Sequence, residues 1–197
     1  SEQKKIQTYF EKFISPELLK QMKEQDRDIA FPERYELTIL FVDLRGFSTA
    51  SETLSPEDIR SILNEYIENM INIAMKYKGT IDKIVGDGVM VLFGAPLFFP
   101  NHSDLAIQSS IEMLYLHAKM MDDWKKRGKP FLNIGIGIST GQMVVGEVGS
   151  KLRSNYTAIG HFVNVASRLC SMAVGGEVML NARCFESTSA EFKAILK

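Results

Sequence analysis

Residues 80–96 read TIDKIVGDGVMVLFGAP. The stretch is mostly apolar, yet it carries three charged residues, Asp82, Lys83 and Asp87, the last of them between two glycines. An Asp-Gly pair between two apolar runs is typical of a β-hairpin turn. The pattern predicts two antiparallel strands from Thr80 to Phe93. It leaves open whether Asp87 only forms the turn or also binds a metal ion there, and whether Lys83 faces solvent.

The segments on either side of this hairpin extend the pattern into a complete fold. An apolar run at residues 36–44 predicts a buried strand, and Ser55-Pro56 predicts the start of a helix. The remaining predicted elements are a helix from about residue 103 to 125, strands at 131–140 and 141–150, a helix at 161–172 and a short strand at 177–181. The order predicts an α+β sandwich whose ferredoxin-like βαββαβ core has an antiparallel sheet, followed by a further strand, helix and strand.

Strict alternation marks residues 131–140, FLNIGIGIST. One face of this strand carries aliphatic side chains, which we expect to pack on helices. The other face carries Gly135 and Gly137, which leave space beside the backbone. We expect a ligand or a second subunit to lie against that glycine face.

Composition narrows the class of protein. The 197 residues are 45% hydrophobic, which predicts a globular core. The 23 basic and 24 acidic side chains nearly balance, so we expect no nucleic-acid partner. No stretch has the length of a membrane span or the pattern of a signal peptide, which favours a location in the cytoplasm. The chain could also be the cytoplasmic domain of a larger or membrane-attached protein. Residues 1–30 predict a helical lead-in (helix 3–25) that could follow an upstream sensor or regulatory domain, and residues 31–197 form the main domain.

The cysteines and histidines give weaker evidence of function. The spacing of Cys170 and Cys184 fits no metal motif and predicts two reduced core thiols. The histidines at 102, 117 and 161 share no motif, and we expect structural roles for them.

Two aspartates separated by 44 positions suggest a site. Asp43 ends the first predicted strand, which in a ferredoxin-like sheet lies beside the hairpin that carries Asp87. Two hard oxygen ligands in one place suit Mg²⁺ bound together with a substrate phosphate, although a strand-end cap and a plain turn would also explain them. Gly46 frees the following backbone to offer amides to a phosphate.

Four blocks together carry a resemblance to a known family. They are FVDLRGFS (41–48), TIDKIVGDGVMVLFGAP (80–96), IGIGISTGQMVVGEVGS (134–150) and YTAIGHFVNVASRL (156–169). In order and spacing they resemble the signature blocks of the class III nucleotidyl cyclase catalytic domain, over about residues 36–181. The purine-recognition positions are most similar to those of bacterial adenylate cyclases.

This resemblance implies a metal site and a base-recognition site. Asp43 and Asp87, with the carbonyl of Leu44, match the ligands of two divalent ions, Mg²⁺ or Mn²⁺. Lys83 matches the residue that selects adenine over guanine, and Thr157 matches its partner in base recognition. Gly46 and Phe47 are expected to bind the substrate.

The resemblance also implies a reaction and an assembly. Asn164 matches the residue that orients the ribose, and Arg168 matches the residue that stabilises the transition state. The implied reaction converts ATP to 3′,5′-cyclic AMP and pyrophosphate. The implied sites form between the subunits of a homodimer, with the metals held by one chain and Lys83, Thr157, Asn164 and Arg168 supplied by the other.

One family feature has no clear counterpart. Family members usually have a further lysine for the triphosphate near the end of the domain, and no motif identifies Lys193 or Lys197 as that residue. A weakly active or inactive domain for dimerisation or nucleotide sensing is therefore an alternative. A cyclase that uses GTP or a pyrimidine nucleotide is another.

Overall fold

The structure is a computed structural model that describes Lys20, Gln21, Glu24 and residues 33–150 and 153–194. The three separate residues are helical. The rest of the lead-in helix predicted over residues 3–25 lies outside the described residues. Lys197 lies outside them as well.

Strands and helices alternate along the described ranges. The first part contains β1 (Glu33–Leu44), α1 (Phe47–Ser51), α2 (Pro56–Lys76), β2 (Thr80–Val85), β3 (Gly88–Phe93) and α3 (His102–Lys126). The second part contains β4 (Ile134–Ser150), β5 (Arg153–Ile159), α4 (His161–Met172), β6 (Glu177–Leu180), α5 (Ala182–Ser187) and α6 (Ala190–Lys193).

One six-stranded sheet organises these elements in the order β2-β3-β1-β4-β5, and β6 also pairs with β4. The pairs β1–β3, β2–β3, β1–β4 and β4–β5 are antiparallel, whereas β4 and β6 are parallel. The predicted ferredoxin-like core is confirmed. Its central strand is β1, with the hairpin on one side and β4 on the other.

The fourth strand differs from the prediction of two strands at 131–140 and 141–150. The structure has one strand over Ile134–Ser150, because pairing with β1 continues through the position where Leu37 lies opposite Gly141. Its two halves then have different further neighbours. Residues 135–138 pair with β6, and residues 144–150 pair with β5.

Three elements near the C-terminus were not predicted. Strand β5 has the sequence RSNYTAI, which lacks apolar alternation. Helices α5 and α6 have only 6 and 4 residues, too few to show a helical period. Their positions depend on the sheet and α3, as when Asp104 accepts a hydrogen bond from the Ser189 backbone N–H at 2.9 Å.

Helix α2 shows why the sequence folds as predicted on the aliphatic side of the sheet. The Ser55 hydroxyl caps the helix by accepting from the Asp58 backbone N–H at 3.1 Å, and Pro56 occupies the first turn. The buried stripe of α2 packs in one cluster with α3 and the aliphatic face of β4. Each large side chain buried there contributes about 1.5–3 kcal/mol. The stripe contains Ile62, Tyr66, Met70, Ile73 and Ala74.

The glycine face of β4 has a different cover from the expected ligand or second subunit. A Cβ at Gly137 would lie 2.1 Å from the backbone nitrogen of Cys170 and 2.3 Å from the carbonyl oxygen of Ala166, both in α4. A Cβ at Gly135 would lie 2.5 Å from the Arg45 guanidinium. The expectation was wrong, because the chain's own helix and an arginine occupy the space that the missing side chains leave.

The two cysteines and two of the three histidines have buried positions that agree with their predicted roles, whereas His161 is exposed. Cys170 and Cys184 are buried free thiols. His102 accepts or donates at 2.8 Å with the Thr38 hydroxyl, and His117 Nε2 donates to the carbonyl of Leu132 at 2.7 Å. Burial lowers the pKa of both histidines, so both act as neutral core groups. Among the described residues, no helix has the length and hydropathy needed to cross a membrane.

Candidate active site

Two carboxylates meet at the end of the first strand. Asp43 is the penultimate residue of β1, and Asp87 lies in the turn between β2 and β3. The antiparallel register, with Val42 opposite Val89, brings this turn beside the end of β1. The backbone N–H of Leu44 donates to Asp87 Oδ2 at 3.1 Å. The fold thus joins the two acids that the sequence separates.

The surroundings of Asp43 favour a positive partner. Burial, a hydrogen bond with Asp87 and the charge of Asp87 raise the pKa of Asp43 to about 6, while Arg45 opposes the rise. In the described ranges, no three His, Cys, Asp or Glu side chains converge to hold a metal ion. A cation at this place would therefore use two carboxylates, a backbone carbonyl such as that of Leu44, and oxygens from substrate and water. Oxygen ligands of this kind suit Mg²⁺ and Mn²⁺.

Arg45 lies next to this acidic pair and donates hydrogen bonds to helix α4. The Arg45 guanidinium Nη2 donates to the carbonyl of Cys170 at 2.7 Å, near the C-terminal end of α4. Its backbone N–H donates to the Asn133 carbonyl at 2.7 Å. No motif in the sequence pointed to a role for Arg45. The signal was Gly135, which leaves room for the guanidinium on the sheet.

A second cluster joins β2 and β5. Lys83 Nζ lies 3.2 Å from the Thr157 hydroxyl oxygen, to which it donates. It also lies 3.1 Å from Asp82 Oδ1. The Thr157 hydroxyl donates to Asp82 Oδ2 at 2.6 Å, and the Ala158 backbone N–H donates to the same oxygen at 3.2 Å. Lys83 and Thr157 thus lie together as the resemblance implies, and Asp82, to which sequence analysis gave no role, connects them.

Exposure differs sharply within this second cluster. The Asp82 side chain is 0% exposed, whereas that of Lys83 is 47% exposed. Thr157 is buried, at 8% exposure. The ammonium group can therefore reach a bound molecule while the carboxylate behind it cannot.

The two positions to which the resemblance gives roles at the ribose and in the transition state lie on the outer side of helix α4. Asn164 and Arg168 are four residues apart and both are exposed. The opposite side of the helix carries the buried Ala166 and Cys170, which contact β4. Within the part of the chain that the structure describes, no hydrogen bond or ion pair engages the side chain of Asn164 or Arg168. These two side chains face outward from the fold and do not contact the acidic pair of their own chain.

The loop after β1 leaves open space beside its glycine. Gly46 has a φ of +74°, and a Cβ there would meet nothing within 4 Å. Phe47 begins α1 and packs half-buried against the core.

The lysine near the C-terminus is engaged elsewhere. Lys193 Nζ donates to the carbonyl of Glu186 at 2.8 Å and lies 5.9 Å from the centre of the Phe185 ring. Lys193 therefore contacts α5. No contact among the described residues joins it to the acidic pair or to Lys83.

Comparisons with known proteins identify a family for the chain. The profile of the adenylate and guanylate cyclase catalytic domain matches residues 30–194. An adenylate cyclase from Anabaena cylindrica is 32% identical over 94% of this chain and 39% of its own length. Adenylate cyclase 1 from Rhizobium meliloti is 36% identical over 71% of this chain and 21% of its own length.

Solved structures show the same fold. The adenylyl cyclase CyaB from P. aeruginosa superposes with a TM-score of 0.77 and 40% identity, over 80% of this chain and 82% of that one. The guanylyl cyclase Cya2 superposes equally well, with a TM-score of 0.77 and 36% identity over 80% of each chain. The fold is thus shared by proteins named for different nucleotides.

The chain belongs to the family of adenylate and guanylate cyclase catalytic domains. The family assignment and the fold that the four sequence blocks implied are confirmed. The chain spans about two fifths or less of the length of the curated relatives above.

Proposed function

We propose that this domain is an adenylate cyclase that converts ATP to 3′,5′-cyclic AMP and pyrophosphate. The single observation that carries the proposal is that Lys83 Nζ and the Thr157 hydroxyl lie 3.2 Å apart. Adenine offers an acceptor at N1 and a donor at its exocyclic amine. An ammonium donor beside a hydroxyl oxygen can match both.

Divalent metal ions fit the acidic pair. Burial first, and then the hydrogen bond and the charge of Asp87, raise the pKa of Asp43 to about 6, and a bound cation would stabilise both carboxylates in their ionised form. We assign Asp43, Asp87 and the Leu44 carbonyl as ligands of two ions, Mg²⁺ or Mn²⁺. When bound, such ions activate the attacking hydroxyl and neutralise charge on the phosphates.

The chain's own side chains would then bind and orient the nucleotide. Lys83 and Thr157 hold the adenine, and Asn164 fixes the ribose so that its 3′-oxygen lies in line with the α-phosphorus. The 3′-oxygen bonds to phosphorus as the bond to pyrophosphate breaks and the hydroxyl proton leaves to water. Arg168 meets the charge that develops on the α-phosphoryl oxygens, a role worth on the order of 10³–10⁵ in rate in other phosphoryl-transfer enzymes.

We further propose that each site is shared by two copies of the chain. Asn164 and Arg168 are exposed on the outer side of α4, and within the described residues neither has a polar partner. The acidic pair lies at the end of β1 in the same chain. Two copies that exchange these groups would form two equivalent sites, as expected for a closed two-fold dimer.

A guanylate cyclase is the second candidate, because Cya2 is 36% identical and has the same TM-score as CyaB. The overall fold therefore does not separate the two substrates. Lys83 favours ATP, since guanine carries a proton at N1 and would face the ammonium donor to donor. Lys83 is therefore our reason for placing ATP before GTP.

The purified chain tests the proposal directly. ATP and GTP are supplied separately with Mg²⁺ or Mn²⁺, and the cyclic nucleotide is quantified over a range of protein concentrations. We expect cyclic AMP in excess of cyclic GMP, with a specific activity that rises with concentration as dimers form. Excess cyclic GMP would establish the guanylate cyclase instead. A nucleotide-binding dimer that makes neither product would establish a binding module.

A further inference from the structure

We propose that Asp82 determines the base preference of the site, as a positioning residue that fixes the hydrogen-bonding character of Thr157 and Lys83. This inference rests on the proposed function, because it concerns the nucleotide that the same site accepts. Asp82 contacts both residues, yet its own side chain is 0% exposed. It therefore acts on a nucleotide only through its two neighbours.

An irregularity in strand β2 gives Asp82 this position. The register of the β2–β3 pair shifts between Ile81 and Lys83. Successive side chains of a regular strand point to opposite faces, but a bulge can redirect one of them. Here the side chains of Asp82 and Lys83, although adjacent, both reach Thr157.

The buried carboxylate fixes the proton of the Thr157 hydroxyl. An ionised carboxylate only accepts hydrogen bonds, so the 2.6 Å contact requires Thr157 to donate to Asp82 Oδ2. The alternative acceptor, the carbonyl of Ala158, is 3.5 Å away. With its one proton directed at Asp82, the hydroxyl can offer only lone pairs to any other partner. One lone pair accepts from Lys83 at 3.2 Å, and we assign the second lone pair to a ligand.

The same carboxylate orients the ammonium group of Lys83. An ammonium has three N–H donors. One donates to the Thr157 hydroxyl at 3.2 Å. The ammonium also forms an ion pair with Asp82 Oδ1 at 3.1 Å, an oxygen that has no hydrogen-bond partner among the described residues. The side chain is 47% exposed, so the ammonium keeps at least one N–H donor for a ligand.

The resulting pair of one donor and one acceptor discriminates between bases. Adenine presents an acceptor at N1 and a donor at N6, which match Lys83 and Thr157 in turn. Guanine in the same pose presents N–H to Lys83 and a carbonyl to the Thr157 lone pair, so both contacts are lost. Cytosine presents the same acceptor and donor pair as adenine, so the pair itself does not reject CTP.

Two substitutions separate the effect of Asp82 on Lys83 from its effect on Thr157. In Asp82→Asn, the amide oxygen can still accept from Thr157 and Ala158, but the charge that orients Lys83 is lost. In Asp82→Ala, the Thr157 hydroxyl also loses its acceptor and becomes free to donate to guanine. We expect the ratio of kcat/KM for ATP to that for GTP to fall in the order wild type, Asp82→Asn, Asp82→Ala, with about a tenfold loss in Asp82→Ala.

Matched variants make this test specific. Asp122→Ala removes an exposed carboxylate on α3 and should leave the ratio unchanged. Thr157→Val removes the hydroxyl, so adding Asp82→Ala to it should change the ratio much less than Asp82→Ala does alone. If Asp82 only connected β2 to β5, Asp82→Ala would lower the unfolding temperature and leave the ratio of kcat/KM for ATP to that for GTP unchanged.

Binding is measured alongside turnover, by calorimetry with non-reactive analogues of ATP and GTP. If the wild type favours ATP and both Asp82 variants fold and keep its ratio, the inference is overturned and the proposed function stands. If the wild type forms no product but binds the ATP analogue preferentially, and Asp82→Ala loses that preference, the enzymatic proposal fails and the inference holds. If neither analogue binds the wild type, both are overturned.

Discussion

Asp87 connects the hairpin turn to the end of β1, since its Oδ2 accepts a hydrogen bond from the Leu44 backbone N–H at 3.1 Å. We predict that Asp87→Asn lowers kcat at least about 100-fold, because a neutral amide binds a divalent ion far less strongly than a carboxylate does. The metal-free protein should not lose stability, because the amide keeps an oxygen for Leu44 and removes the repulsion with Asp43. Cyclic nucleotide assays and urea unfolding measure the two effects.

The control for this prediction is Asp58→Asn, which alters an exposed acid at the start of α2. It should leave kcat unchanged. If Asp87→Asn retained wild-type activity with Mg²⁺, the carboxylate would only form the turn, and the metal assignment would be wrong.

Helix α4 is positioned by direct backbone contact with β4. A Cβ at Gly137 would lie 2.1 Å from the backbone nitrogen of Cys170, and backbone atoms cannot rotate away as a side chain can. We predict that Gly137→Ala destabilises the fold by about 1–3 kcal/mol. At temperatures where the variant is still folded, its kcat should also be lower than that of the wild type, because α4 carries Asn164 and Arg168.

Gly128→Ala provides the comparison for this helix displacement. Gly128 has a φ of +69°, and a Cβ there would meet nothing within 4 Å, so the substitution adds backbone strain without moving α4. It should lower stability by about 1–2 kcal/mol and leave kcat unchanged. Equal kcat values for the two folded variants would show that the position of α4 does not matter for the reaction.

The same strand and helix show how far sequence patterns reach. The β2–β3 hairpin, α2 and the buried β1 follow from local periodicity and turn residues, so they were predicted. The cover of the glycine face was not, because it depends on α4, whose contacts with Gly137 come from residues 166 and 170. Asp82 was missed for a related reason, since its partner Thr157 is 75 positions away on a strand without apolar alternation.

At the scale of the whole molecule, the exposed Arg168 and the acidic pair of one chain predict complementation between two inactive chains. We mix Asp43→Ala with Arg168→Ala, each inactive alone. If sites are shared, a heterodimer combines the intact acids of one chain with the intact arginine of the other and gains one working site. Random pairing makes half of the dimers heterodimers with one of two sites intact, so we expect about a quarter of wild-type activity.

A second mixture separates shared sites from other kinds of rescue. Asp43→Ala and Asp87→Ala both remove acids from the same side of the site, so their heterodimers contain no complete acidic pair and should stay inactive. Recovery only in the first mixture would locate Arg168 opposite the acids of the partner copy. Absence of recovery there, with heterodimers present by mass spectrometry, would show that each chain builds its site alone, and the outward direction of Arg168 would then require a movement of α4.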